Sequence, residues 1–105
     1  MAENLYIKTL GEYFELYIEL DGVYDFVEIK ILPAKNIEMD TQDEIVFTTY
    51  TDPTLFFRDN LAVWFMLHSG NWEFTVQDYT YIITGIYDNN KRVEQERGII
   101  SFREA

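Results

Sequence analysis

Hydrophobic and polar residues alternate along much of this chain with a period of two, the spacing of a half-buried strand. Residues 4–9 (NLYIKT) predict a short edge strand. Residues 12–20 and 23–32 predict a pair of strands flanking Asp21-Gly22. An Asp-Gly pair suits a type I′ hairpin turn, because both central residues need positive φ. Pairing across that turn sets Leu20 opposite Val23, Leu16 opposite Val27 and Phe14 opposite Ile29, all on one face. The other face pairs Glu19 with Tyr24, Tyr17 with Phe26, Glu15 with Glu28 and Tyr13 with Lys30. The first face reads as core, marred by Asp25 opposite Ile18, and the second is amphipathic.

Proline cannot donate to a strand ladder, so Leu32-Pro33 ends the second arm. The polar, acidic run 36–44 reads as a loop, and 44–50 (EIVFTTY) as another strand. Residues 51–70 are ambiguous. Thr51-Asp52-Pro53 is a helix-start signal and Ser69-Gly70 a stop, so one buried helix near 53–68 would fit. Two strands fit as well, TLFFR and LAVWFML, joined at Asp59-Asn60, with Leu61, Val63, Phe65 and Leu67 on one face. In that case residues 68–71 form a hairpin loop into a strand over 72–76. The aromatic and branched composition and the strand-rich surroundings favour the two strands.

The chain closes with a long hairpin, residues 79–87 and 92–103 around Asp88-Asn89-Asn90. Tyr79, Tyr81 and Ile83 alternate cleanly on its first arm. On the return arm Val93 and the Ile100/Phe102 pair fall on opposite parities, and a bulge at Gly98 would reconcile them.

The run Asp78-Tyr79-Thr80-Tyr81-Ile82-Ile83 resembles the start of the penultimate strand of immunoglobulin-like domains. In that family a tyrosine near the strand start hydrogen-bonds back to the preceding corner, and Tyr79 stands at that position. The family's second cysteine would fall at Tyr81, so its disulfide is absent. The wider stretch to Arg97-Gly98-Ile99-Ile100-Ser101-Phe102 is similar to the closing hairpin of small immunoglobulin-like domains of phage virions. The Gly11–Leu20 strand followed by Asp-Gly is similar to their N-terminal half. The resemblance implies an all-β, antiparallel immunoglobulin-like β-sandwich of about seven to eight strands, with α+β (one buried helix near 53–68) as the alternative. One feature departs from it: in immunoglobulin order the second and third strands lie in different sheets, whereas an Asp-Gly hairpin would pair them.

Composition narrows the functions. At 105 residues, 48% hydrophobic and 17% aromatic, the chain makes one packed domain over 1–105. It has no cysteine, which excludes a disulfide framework, a thiolate metal site and a cysteine nucleophile. The formal charge is −11, with 13 acids against 4 bases in residues 1–60. That balance argues against direct nucleic-acid binding and against anionic membranes. The opening Met1-Ala2-Glu3-Asn4 lacks the basic start of a signal peptide, and no apolar run is long enough to span a bilayer.

Little catalytic chemistry is available. His68 is the only histidine and sits beside a turn. Glu38, Asp40, Asp43 and Glu44 could offer hard oxygens to a cation, without the spacing of a calcium loop. The hairpin reading sets the carboxylates of Glu15 and Glu28 side by side, as a hydrolase would need, but on an open face. These features predict no enzyme and no cofactor. The face Tyr13, Glu15, Tyr17, Glu19, Tyr24, Phe26 and Glu28 is the candidate interaction surface, suited to basic partner side chains. With the resemblance, it implies a phage structural or assembly subunit of tail, baseplate or capsid. Such a subunit is made in the host cytoplasm and resides in the virion, contacting other virion proteins or itself. The alternative is a small acidic inhibitor that mimics nucleic acid to occupy the basic groove of a host enzyme.

Overall fold

The computed structural model describes residues 4–33, 45–59, 61–68, 74 and 76–104. Eight strands run in chain order: β1 (Asn4–Thr9), β2 (Tyr13–Glu19), β3 (Phe26–Pro33), β4 (Ile45–Thr48), β5 (Phe56–Asp59), β6 (Ala62–His68), β7 (Asp78–Tyr87) and β8 (Lys91–Arg103). They form a five-stranded sheet in the order β1-β8-β7-β3-β4 and a three-stranded sheet in the order β2-β6-β5. All pairings are antiparallel except β1 with β8. This is an all-β sandwich. Its second, fifth and sixth strands share one sheet and its third, seventh and eighth the other, a division similar to that of immunoglobulin-like sandwiches, but the first strand joins the sheet of the eighth.

The helix alternative over 53–68 is not what the chain adopts. Only Pro53–Leu55 forms a 3-10 turn, while Phe56–Asp59 and Ala62–His68 are β5 and β6, paired from Phe56↔Phe65 to Asp59↔Ala62. Val63, Phe65 and Leu67 point into the core, as alternation predicts, although Leu61 is exposed. The loop 36–44 lies outside the described residues. Of the expected strand over 72–76 only Phe74 and Val76 are described, and neither lies in a strand.

The Asp-Gly hairpin is corrected. β2 pairs with β6, and β3 lies between β7 and β4, so the two arms belong to opposite sheets. Neither Asp21 nor Gly22 has the positive φ of a type I′ turn. The segment is an arch from one sheet to the other. Its fixings come from distant residues: the Asp21 amide donates to Gln95 Oε1 (2.9 Å), and Gln95 Nε2 donates to the Tyr24 hydroxyl (2.9 Å). Tyr24 itself donates to Asp21. Arg58 of β5 donates to the carbonyls of Tyr24 and Asp25 (2.5 and 3.0 Å). The physical reason for the arch lies in the competing partners: β3 pairs with β7 from Phe26 to Pro33 and β2 with β6 from Tyr13 to Glu19, so each arm turns its alternate apolar residues toward the opposite sheet.

The closing hairpin is present, and its turn is built on positive φ at Asp88 (47°), Asn89 (70°) and Asn90 (144°). The bulge is real but lies elsewhere. Ile83 faces Glu96 while Thr84 faces Glu94, so Gln95 is the extra residue. A bulge re-aims a side chain, and here that side chain is the one that fastens the arch. Gly98 has a different role. A Cβ there would collide with the Asn4 carbonyl oxygen and lie 2.8 Å from Tyr81 Cε1. The absent side chain lets β1 approach.

Both sheets contribute to one core. It holds Phe14, Leu16 and Ile18 of β2, Val27, Ile29 and Ile31 of β3, Phe65 of β6, Tyr81 and Ile83 of β7, and Phe102 of β8. Tyr24 closes one end, its ring so near Gly85 that a Cβ there would lie 2.6 Å from it. Tyr79 packs edge-on to Phe74 and Phe102 (5.3 and 5.6 Å), and its hydroxyl accepts from Gln77 Nε2 (3.2 Å).

A candidate interaction face

The seven residues of the candidate surface do not share a face. Tyr13, Glu15, Tyr17 and Glu19 alternate on the outward side of β2. Tyr24 is buried in the arch. Phe26 and Glu28 lie on the outer side of the opposite sheet, where Phe26 meets Tyr50 (5.3 Å). Glu28 is buried there because Arg92 of β8 pairs with it. Glu15 faces Met66, not Glu28, so the carboxylate pair that a hydrolase would need does not exist.

A more coherent surface replaces it. On the outer face of the three-stranded sheet, Tyr17 faces Trp64 and Trp64 faces Phe57, one residue from each strand. Tyr17 and Trp64 stack at 4.6 Å with 19° between ring planes, and Phe57 meets Trp64 edge-on at 5.6 Å. Offset stacking and edge contacts are the arrangements the ring quadrupole favours. Met66 and Tyr13 extend this ribbon along the strands. Phe57 is 63% exposed, Tyr13 75%, Met66 48% and Tyr17 42%. Glu15, Glu19 and Asp59 flank the ribbon on the same side. Arg58, the cation of these three strands, is turned away to the arch carbonyls.

Trp64, Phe57, Met66 and Asp59 were absent from the surface read from sequence. A signal for two of them was there: Trp64 and Met66 are the off-parity residues between Val63, Phe65 and Leu67. It was hidden because an apolar run such as LAVWFML looks uniformly buried until its partners are known.

Other places offer less. At the hairpin end, a shallow groove of about 520 Å³ is lined by Phe26, Tyr50 and Ile86, with Asp25, Asn89 and Asn90 among its polar residues. The Asp25 carboxylate is engaged there with the Asp88 amide (3.1 Å). Under β1, the Tyr81 hydroxyl donates to Glu96 (2.6 Å), and the Tyr6 ring lies 5.8 Å from that of Tyr81. Burial, then the Glu96 bond and charge, push the Tyr81 phenol far above its ordinary range. Burial and the Glu96 charge raise Tyr6 as well, against a hydrogen bond with Tyr81 that lowers it. Both phenols are thus held neutral, which is a structural use of tyrosine. Among the described residues no group of three His, Asp or Glu could hold a metal ion, and no helix is long and apolar enough to cross a membrane. The His68 side chain and the acidic residues 38–44 lie outside the described residues.

No protein-family model matches the chain, and no curated protein matches it in sequence.

Proposed function

We propose that this domain is a non-enzymatic assembly module that binds a basic protein partner through the outer face of its three-stranded sheet. The observation that carries this reading is the Tyr17-Trp64-Phe57 ribbon. It is a stacked aromatic surface exposed to solvent and bordered by carboxylates. Exposed apolar patches with a polar rim mark contact sites. Aromatic residues are enriched where binding energy concentrates. Arginine or lysine from a partner can lie over the rings and reach Glu15, Glu19 or Asp59. Each such cation–π contact is worth about 0.5–2 kcal/mol, depending on how far it is desolvated.

The resemblance of Asp78–Phe102 to virion domains supports a phage tail, baseplate or capsid accessory subunit as the setting. The test is recovery of the protein in purified particles, with Phe57→Ser and Trp64→Ala in parallel. Loss of incorporation with an unchanged fold supports the reading. Normal incorporation of both variants refutes it.

A second reading draws on the 13 acids against 4 bases in residues 1–60. An acidic inhibitor of a nucleic-acid enzyme would use the same carboxylates. Its complex would weaken steeply with salt and be displaced by duplex DNA. An assembly contact resting on the aromatic ribbon would resist duplex DNA and would lose less affinity with salt, since its apolar part is not screened.

A further inference from the structure

We infer that the partner docks by adding a strand to the free edge of β2, as an extended segment with two basic residues four positions apart and an aromatic or branched residue midway between them. This rests on the reading of the three-stranded sheet as the binding face and specifies how that face is used. Among the described residues β2 has β6 on one side and no strand on the other.

The backbone shows which groups that edge offers. The Leu20 amide donates to the Leu61 carbonyl (2.9 Å), continuing the register in which Ile18 faces Val63 and Leu16 faces Phe65. Hydrogen-bonded pairs alternate with non-bonded pairs in an antiparallel ladder. The even-numbered residues of β2 therefore direct their N–H and C=O groups at β6. Glu15, Tyr17 and Glu19 direct theirs away from it, toward the open edge. The same three residues present their side chains on the outer face, beside Trp64 and Met66. Backbone pairing and side-chain recognition coincide there.

Charge selects the occupant. An antiparallel strand laid on this edge places one residue opposite Glu15, one opposite Tyr17 and one opposite Glu19. Opposite charges across strands stabilise a pair and like charges destabilise it. Lysine or arginine fits the outer two places, and an aromatic or branched residue fits the middle. A second copy of this chain does not fit. Two-fold pairing centred on Tyr17 would set Glu15 of one copy against Glu19 of its partner, twice, on two chains of net charge −11. The acidic edge thus deters self-pairing, a known use of edge charge, and favours a basic strand.

The test uses the isotope-labelled full chain and the peptide acetyl-Thr-Lys-Val-Tyr-Val-Lys-Thr-amide. Binding should slow hydrogen exchange at the amides of Glu15, Tyr17 and Glu19 by about tenfold or more. N-methylation of the peptide's tyrosine removes a pairing N–H and should weaken binding by at least about tenfold. N-methylation of a valine, whose N–H points outward, should not. The double variant Glu15→Lys/Glu19→Lys, at exposed positions, should lose the lysine peptide and gain the matching glutamate peptide. If both N-methyl peptides bind as the parent does while Phe57→Ser abolishes binding, strand addition is overturned and face docking stands. If neither N-methylation nor Phe57→Ser changes binding, or the peptide fails to bind, both ideas fall.

Discussion

Placing a methyl group at Gly98 tests the association of β1 with the rest of the sandwich. An alanine Cβ there would meet the Asn4 carbonyl oxygen on one side. On the other it would meet Tyr81, at 2.8 Å from Cε1 and 2.9 Å from the hydroxyl. Something must move, and the two neighbours differ in how easily they can. Tyr81 is fully buried and bonded to Glu96, so displacing it would disturb the core. β1 is an edge strand whose Asn4, Leu5 and Ile7 are exposed. The cheaper response is for the Asn4 end of β1 to peel from β8. Overpacking costs about 1–3 kcal/mol, and the loss of this edge contact should fall near the middle, about 2 kcal/mol. For a domain of this size that is roughly 10 °C in Tm. Urea unfolding reads the energy, and amide hydrogen exchange reads the location. Tyr6 and Lys8, whose amides face β8 in the register that Leu10 continues to the Arg103 carbonyl, should lose protection while Ile29 and Ile83 keep theirs. A Gly98→Ala variant within about 0.5 kcal/mol of the parent, with β1 amides still protected, would refute this reasoning.

Three further outcomes follow from other contacts. Folding raises the Tyr81 phenol above its ordinary value of 10.0, so its stabilisation is complete below that pH and is lost as pH climbs above it. Tyr81→Phe should therefore cost about 1–2 kcal/mol near neutrality, and urea midpoints should show the gap to the parent narrowing above pH 10. Asn90 holds φ at 144°, a region that penalises a side chain, so Asn90→Gly should raise stability by about 1 kcal/mol in urea unfolding. Glu28 is buried and Arg92 half exposed, so a double-mutant cycle with Glu28→Gln and Arg92→Met should give a coupling of about 1–2 kcal/mol, between surface and fully buried pairs.

The strands were legible because local alternation and turn chemistry write them into the chain. Residues 13–19, 26–33 and 78–87 each show the period directly, and Asp88-Asn89-Asn90 marks the one long hairpin. Partner choice was not legible, since it depends on residues far away. Asp21-Gly22 suits a turn within a sheet and an arch between sheets equally. What decides is Gln95 reaching Asp21 and Tyr24 from 74 and 71 positions along the chain. The parity conflict in β8 showed that one residue was extra, but a glycine drew attention to position 98 when the extra residue was Gln95. The candidate face failed for the same reason. Alternation put Tyr13, Glu15, Tyr17 and Glu19 together correctly, but the false hairpin supplied Tyr24, Phe26 and Glu28 where β6 and β5 supply Met66, Trp64 and Phe57.

The parallel pairing of β1 with β8 has a consequence for how the domain comes together. The first strand waits for the last, and closing a loop of nearly the whole chain costs about 4 kcal/mol of entropy before any contact repays it. β1 should dock late, after a seven-stranded intermediate has formed, and overall folding should fall in the millisecond-to-second range of such topologies. In that intermediate the outer edge of β8 stands open beside Gly98. A β1 from another molecule fits it as well as its own does, so concentrated refolding should yield strand-exchanged dimers. Slow dilution should yield monomers.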